Sequence, residues 1–125
     1  MRTAVANLTK KRLPRLPLQA AKDAVLGKDY SLSVAFVDSR RSRLINKSYR
    51  GKEGTADVLA FPLAESEGEI ILCPRAAEVR ASLFGLPLKK YLHYLFIHAL
   101  LHLKGYTHGS KMISAERVIR KKINF

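Results

Sequence analysis

The sequence predicts an α+β fold, and three observations carry that prediction. Strand-like runs fall almost entirely before Pro74, helical spacing of apolar residues dominates after it, and no repeat, linker or low-complexity tract divides the chain. Chains usually split into domains only beyond roughly 250 residues, so residues 1–125 are read as one domain.

Each element has its own signal. Residues 3–8, TAVANL, read as a short first strand. KKRLPRLP then breaks regularity with two prolines, and Leu16 to Leu26 carries apolar residues at helical spacing up to Gly27. SLSVAFV at 31–37 alternates and is rich in β-formers, the mark of a strand. Asp38 or Ser39 is placed to cap a helix reaching about Tyr49, with Leu44 and Ile45 turned inward. RGKEGTA is a polar loop. DVLAFP at 57–62 reads as a strand stopped by Pro62, and GEIILC at 68–73 as another. The acidic loop AESEGE joins them closely enough to predict antiparallel pairing. Pro74 suits a helix N-terminus, and RAAEVRASLFG continues to Gly85. A long helix starts near Pro87 and closes at Gly105; its apolar residues crowd nearly all round, which predicts a buried, central helix. After the loop GYTHGS, Ser110 or Ser114 opens a last basic helix through Arg120.

Composition narrows the setting. A lone cysteine, Cys73, cannot form an internal bridge, which predicts a reducing compartment. The N-terminal MRTAVANLTKKRLPRLP has charge but no apolar stretch of signal-peptide length, and no window approaches the roughly 18 apolar residues of a membrane span. A soluble, cytoplasmic protein with no membrane partner and no small-molecule organic cofactor is expected. Lys and Arg number 23 against 10 Asp and Glu, a formal net charge of +13. That excess exceeds what solubility needs and predicts a polyanionic partner, with nucleic acid favoured over a membrane surface.

The chemistry concentrates in HALLHLKGYTH. His98 and His102 stand at i and i+4 on the long helix, so both imidazoles project from one face within reach of one ion. Gly105 takes the left-handed conformation that ends the helix, and His108 follows to turn back toward that face. Three neutral nitrogen ligands suit zinc with water in the fourth position. Nickel, copper and cobalt also accept imidazole. Cys73 is a conceivable fourth ligand without specific support, and His93 is expected in the core or on the surface. Zincin proteases place a glutamate directly after the first histidine as general base; here that residue is Ala99, which argues against peptide hydrolysis by that route.

HALLHLKGYTH, NKSYRGKEGTADVLAFP at 46–62 and GEIILCP at 68–74, in this order, resemble the YbeY family of bacterial rRNA maturation factors, metal-dependent, single-strand-specific endoribonucleases. The resemblance implies one zinc ion held by His98, His102 and His108, a catalytic arginine at Arg50, and RNA contacts from Arg50 and Lys52. It leaves Asp57 either to hydrogen-bond the loop or to cap a strand. The fold implied is a mixed four-stranded sheet with helices packed on it, a zincin-like metal helix at the core. Partners implied are rRNA, the small ribosomal subunit and ribosome-associated proteins. Ala99 stands where the family has glycine, adding a methyl near the metal, and Thr107 stands where it has aspartate. Loss of a carboxylate that orients a histidine would weaken metal affinity about 10-fold or more. A non-catalytic, zinc-stabilised assembly factor docking on rRNA by charge is the alternative.

Overall fold

A computed structural model describes residues 3–107 and 109–122. Its strands are β1 (Thr3–Asn7), β2 (Ser31–Phe36), β3 (Val58–Ala64) and β4 (Glu67–Leu72); its helices are α1 (Leu18–Leu26), α2 (Ser39–Arg50), α3 (Pro74–Leu83), α4 (Leu88–Lys104) and α5 (Ser110–Lys122). The strands form one mixed sheet in the order β1-β2-β4-β3. β1 and β2 pair parallel, as do β2 and β4, while β3 returns antiparallel to β4. The α+β class and the mixed four-stranded sheet therefore hold.

Alternation along the strands sorts residues between two layers. Leu32, Val34 and Phe36 of β2 and Ile70 and Leu72 of β4 point to one face and join α1 and α4 in the main core. Ile71, Leu59, Val37 and Cys73 form a smaller cluster on the other face, covered by Ile45 of α2. The second residue of the predicted inward pair, Leu44, is exposed instead, because one helical step rotates it about 100° from Ile45. α4 runs through the middle as expected: Leu92, Phe96 and Leu100 are wholly buried, and the helix touches α1, α3, α5, β3 and β4.

Several boundaries differ from the sequence reading for local reasons. Pro62 does not stop its strand. β3 lies at the sheet edge, where a residue without an N–H costs no ladder bond, and the register shifts between Pro62 and Ala64. The acidic loop shrinks to a turn at Glu65 and Ser66. α1 begins at Leu18 because Pro17 holds its N-cap position. Asp38 does cap α2, its carboxylate accepting from the Arg41 N–H at 2.8 Å, and Gly51 closes that helix in the left-handed region. Among the described residues no helix is long and apolar enough to cross a membrane.

Candidate metal centre

α4 ends where Gly105 adopts φ 113° and ψ 1°. The Gly105 N–H donates to the His102 carbonyl at 3.0 Å, and the Tyr106 N–H to the Leu101 carbonyl at 3.0 Å. These two bonds make a Schellman closure, which satisfies carbonyls the helix would otherwise leave open. The turn also reverses the chain so that the Tyr106 carbonyl stands 3.0 Å from His102 Nδ1. A carbonyl only accepts, so the His102 proton lies on Nδ1 and its Nε2 offers a lone pair.

His98 has a parallel arrangement from a different source. Its Nδ1 lies 3.0 Å from Oε1 of Glu116 on α5, and a carboxylate there also fixes the proton on Nδ1. The two Nε2 atoms consequently face one another at 3.1 Å, with the rings edge-on and centroids 4.6 Å apart. Two nitrogen lone pairs so close repel unless a cation lies between them. A tetrahedral ion with metal–nitrogen bonds of about 2.0–2.1 Å needs its two nitrogens about 3.3 Å apart, so the pair fits such an ion with a shift of a few tenths of an ångström.

The same face of α4 continues as a ladder of rings. Tyr91 and Tyr94 stack at 6.0 Å, and Tyr94 stands 6.0 Å from His98. Burial raises the phenol pKa of both tyrosines, with Asp57 adding to it at Tyr91 and Glu116 at Tyr94. At the far end the Tyr91 hydroxyl donates to Asp57 Oδ2 at 3.3 Å, and Arg80 pairs with the same oxygen at 3.7 Å. Asp57 thus ties the 51–57 loop to α3 and α4. The other side of that loop is tied to α2: Ser42 Oγ donates to the Ala56 carbonyl at 2.7 Å, and Asn46 Nδ2 to that of Gly54 at 3.1 Å.

The structure thus brings together His98 and His102. His108 lies outside the described residues, and among those described no group of three or more His, Cys, Asp or Glu is placed to hold a metal. Arg50 and Lys52 are exposed, at the end of α2 and in the loop Asp57 anchors; α2 itself packs on the opposite face of the sheet from α4. Cys73 is buried in the smaller cluster that includes Ile45 of α2. His93 is fully buried in the core side of α4. Sequence reasoning missed Glu116. Its signal was present: Met112, Ala115, Glu116 and Ile119 share one face of α5, and a carboxylate on an apolar face asks for a partner.

The family model for endoribonuclease YbeY matches residues 3–124. The chain belongs to the YbeY family. Proteins named endoribonuclease YbeY from Paraburkholderia phymatum and Paraburkholderia phytofirmans are 36% and 37% identical to it, covering 93% and 90% of this chain and 82% and 80% of their own lengths. One from Macrococcus caseolyticus is 35% identical over 82% of this chain and 77% of its own. The solution structure of TM1509 from Thermotoga maritima superposes with a TM-score of 0.68 at 25% identity, over 94% of this chain and 86% of that one. Within this YbeY-family chain, two departures expected to thin the site look different in three dimensions. Ala99 is 1% exposed and packs in the main core, so its methyl fills the interior. Thr107 is exposed, and the carboxylate that meets a histidine comes from α5.

Proposed function

We propose that this chain is a zinc-dependent endoribonuclease that cuts single-stranded RNA, acting in the cytoplasm on 16S rRNA precursors in late small-subunit maturation and ribosome quality control. The observation that carries the reading is the His98–His102 pair, whose Nε2 atoms converge at 3.1 Å while each Nδ1 proton is engaged elsewhere. The relatives named endoribonuclease YbeY support the RNA phosphodiester as substrate.

His98 and His102 hold the ion through Nε2, with His108 as third ligand. When bound, the ion supplies an acidified water with a pKa near ~7 and polarises a phosphate oxygen. Arg50, at the end of α2, and Lys52, in the loop that Asp57 ties to α4, would pair with phosphates of the strand, Arg50 stabilising the charge that develops on the reacting one. The net charge of +13 holds the strand by displacing counterions from its phosphates. Ribosome-associated proteins are partners of the same surface.

The test uses metal-stripped protein, zinc restored or withheld, and a labelled RNA offered single-stranded and as a duplex. Cleavage should require zinc and spare the duplex, and His98→Ala should abolish it. Arg50→Ala should slow it roughly 100-fold, the usual cost of losing one group that meets developing charge. Tight RNA binding with no cleavage under any metal condition would instead identify a non-catalytic assembly factor.

A further inference from the structure

Glu116 is a buried charged side chain to which the metal reading assigns no role. It sits on α5, only 9% exposed as a residue, with its carboxylate 3.0 Å from His98 Nδ1. A carboxylate taken this far out of water is costly unless a charged or hydrogen-bonding partner meets it. We propose that Glu116 is a positioning residue for the metal centre, holding His98 as the Nδ1–H tautomer so that its Nε2 lone pair is aimed at His102.

This role for Glu116 rests on the metal reading of the histidine pair, and three features of the structure extend it. First, the hydrogen bond settles which nitrogen is available. Neutral histidine carries one ring proton, and an acceptor at Nδ1 draws it there, leaving Nε2 as the ligand atom. Second, the charge on the acceptor strengthens the hydrogen bond that orients the His98 ring. His102 is held by a neutral carbonyl, that of Tyr106, so the two rings are oriented by acceptors of different charge. Third, Glu116 lies on a different helix from the histidines. α5 follows directly after the loop that bears His108, and Met112 and Ile119 seat it in the main core. The Glu116–His98 bond therefore joins the two helices that flank this loop, and metal binding and the docking of α5 favour one another.

An ordinary structural ion pair would also place a carboxylate beside a histidine, so the test must read the metal itself. The full-length protein is titrated with Zn2+ alone in competition with a chromogenic chelator, and the wild type is compared with Glu116→Gln and Glu116→Ala. Glu116→Gln keeps a hydrogen-bond acceptor of the same shape and removes the charge. The proposal expects zinc dissociation constants raised about 10-fold in Glu116→Gln and up to about 100-fold in Glu116→Ala. Long-range 1H–15N spectra of the metal-free proteins should show His98 as the Nδ1–H tautomer in the wild type and a mixture of tautomers in Glu116→Ala. Zinc affinity unchanged in a folded Glu116→Gln, or a His98 tautomer that does not respond, would overturn the proposal; so would a wild type that binds no zinc. Should Glu116→Ala fail to fold, the glutamine variant decides alone. RNA cleavage plays no part in these readouts, so a protein that binds zinc but cuts nothing would refute the proposed function and leave Glu116 in its role.

Discussion

His93 and His98 occupy one helix, yet their surroundings give them opposite uses. His98 reaches a partly open face where a carboxylate and a second imidazole meet it; His93 turns into the core with no exposed surface. Burial, with a smaller contribution from the charge of Arg120, pushes the His93 pKa down from 6.5 to about 4. The native protein therefore keeps His93 neutral over a range in which the unfolded chain binds a proton. Stability is unaffected above pH 6.5 and falls as pH drops from there toward 4, by up to about 3 kcal/mol from this residue. Urea midpoints measured at several pH values should show that slope, and His93→Leu should flatten it. The contrast also shows where sequence reading of single residues stops. The spacing of His98 and His102 was legible because a helix has a fixed period; that His93 belongs to the core was not, since nothing in its neighbours says which side of a nearly all-apolar helix meets the sheet. Glu116 was equally hard to read, its partner lying across a helix reversal that the sequence fixes only through Gly105.

At the scale of elements, close approach and charge each support a prediction. β4 passes beneath the C-terminal end of α4, and Gly68 is the residue at that crossing. A Cβ added there would meet the Tyr30 hydroxyl and would stand 3.1 and 3.2 Å from the two methyls of Leu103. Gly68→Ala should destabilise the fold by about 1–3 kcal/mol, read as a lower denaturation midpoint with an unchanged slope against denaturant. α2 makes the other prediction. Arg40, Arg43, Lys47 and Arg50 recur along one side of the helix, all exposed, and no acidic residue lies within it. Lys47 and Arg50 in the last turn favour the helix dipole, but Arg40 in the first turn opposes it, so helix stability does not account for the whole row. Replacing Arg40 and Arg43 with glutamine should reduce the slope of log affinity for single-stranded RNA against log salt by about 1.4 if each meets one phosphate, while leaving the unfolding transition in place. The elements themselves were largely readable, because caps and breakers mark them: Asp38, Gly51, Pro74 and Gly105 stand where the helices start and stop. Pro62 misled, since its effect depends on whether a strand lies at an edge, a property of the sheet and not of the strand.

Across the whole molecule, the layers divide the work. The main core on one face of the sheet fixes α4 rigidly, with Leu92, Phe96 and Leu100 fully buried, and so holds the histidine pair in register. The thinner cluster on the other face supports α2, which carries five exposed basic residues, Arg40, Arg41, Arg43, Lys47 and Arg50. The 51–57 loop links the two sides, bonded to α2 through Ser42 and Asn46 and to α4 through Asp57 and Tyr91. In this architecture the histidine pair is held by the main core while exposed positive charge lies on α2, across the sheet. Zinc content per chain by elemental analysis, on the wild type beside His98→Ala and His102→Ala after dialysis against zinc and then buffer, decides whether the histidine pair holds a metal. About one zinc per wild-type chain is expected, with that zinc lost from both variants while their fold, by circular dichroism, stays intact. Wild-type protein that emerges without metal, or variants that retain the full complement, would contradict a metal centre at this pair.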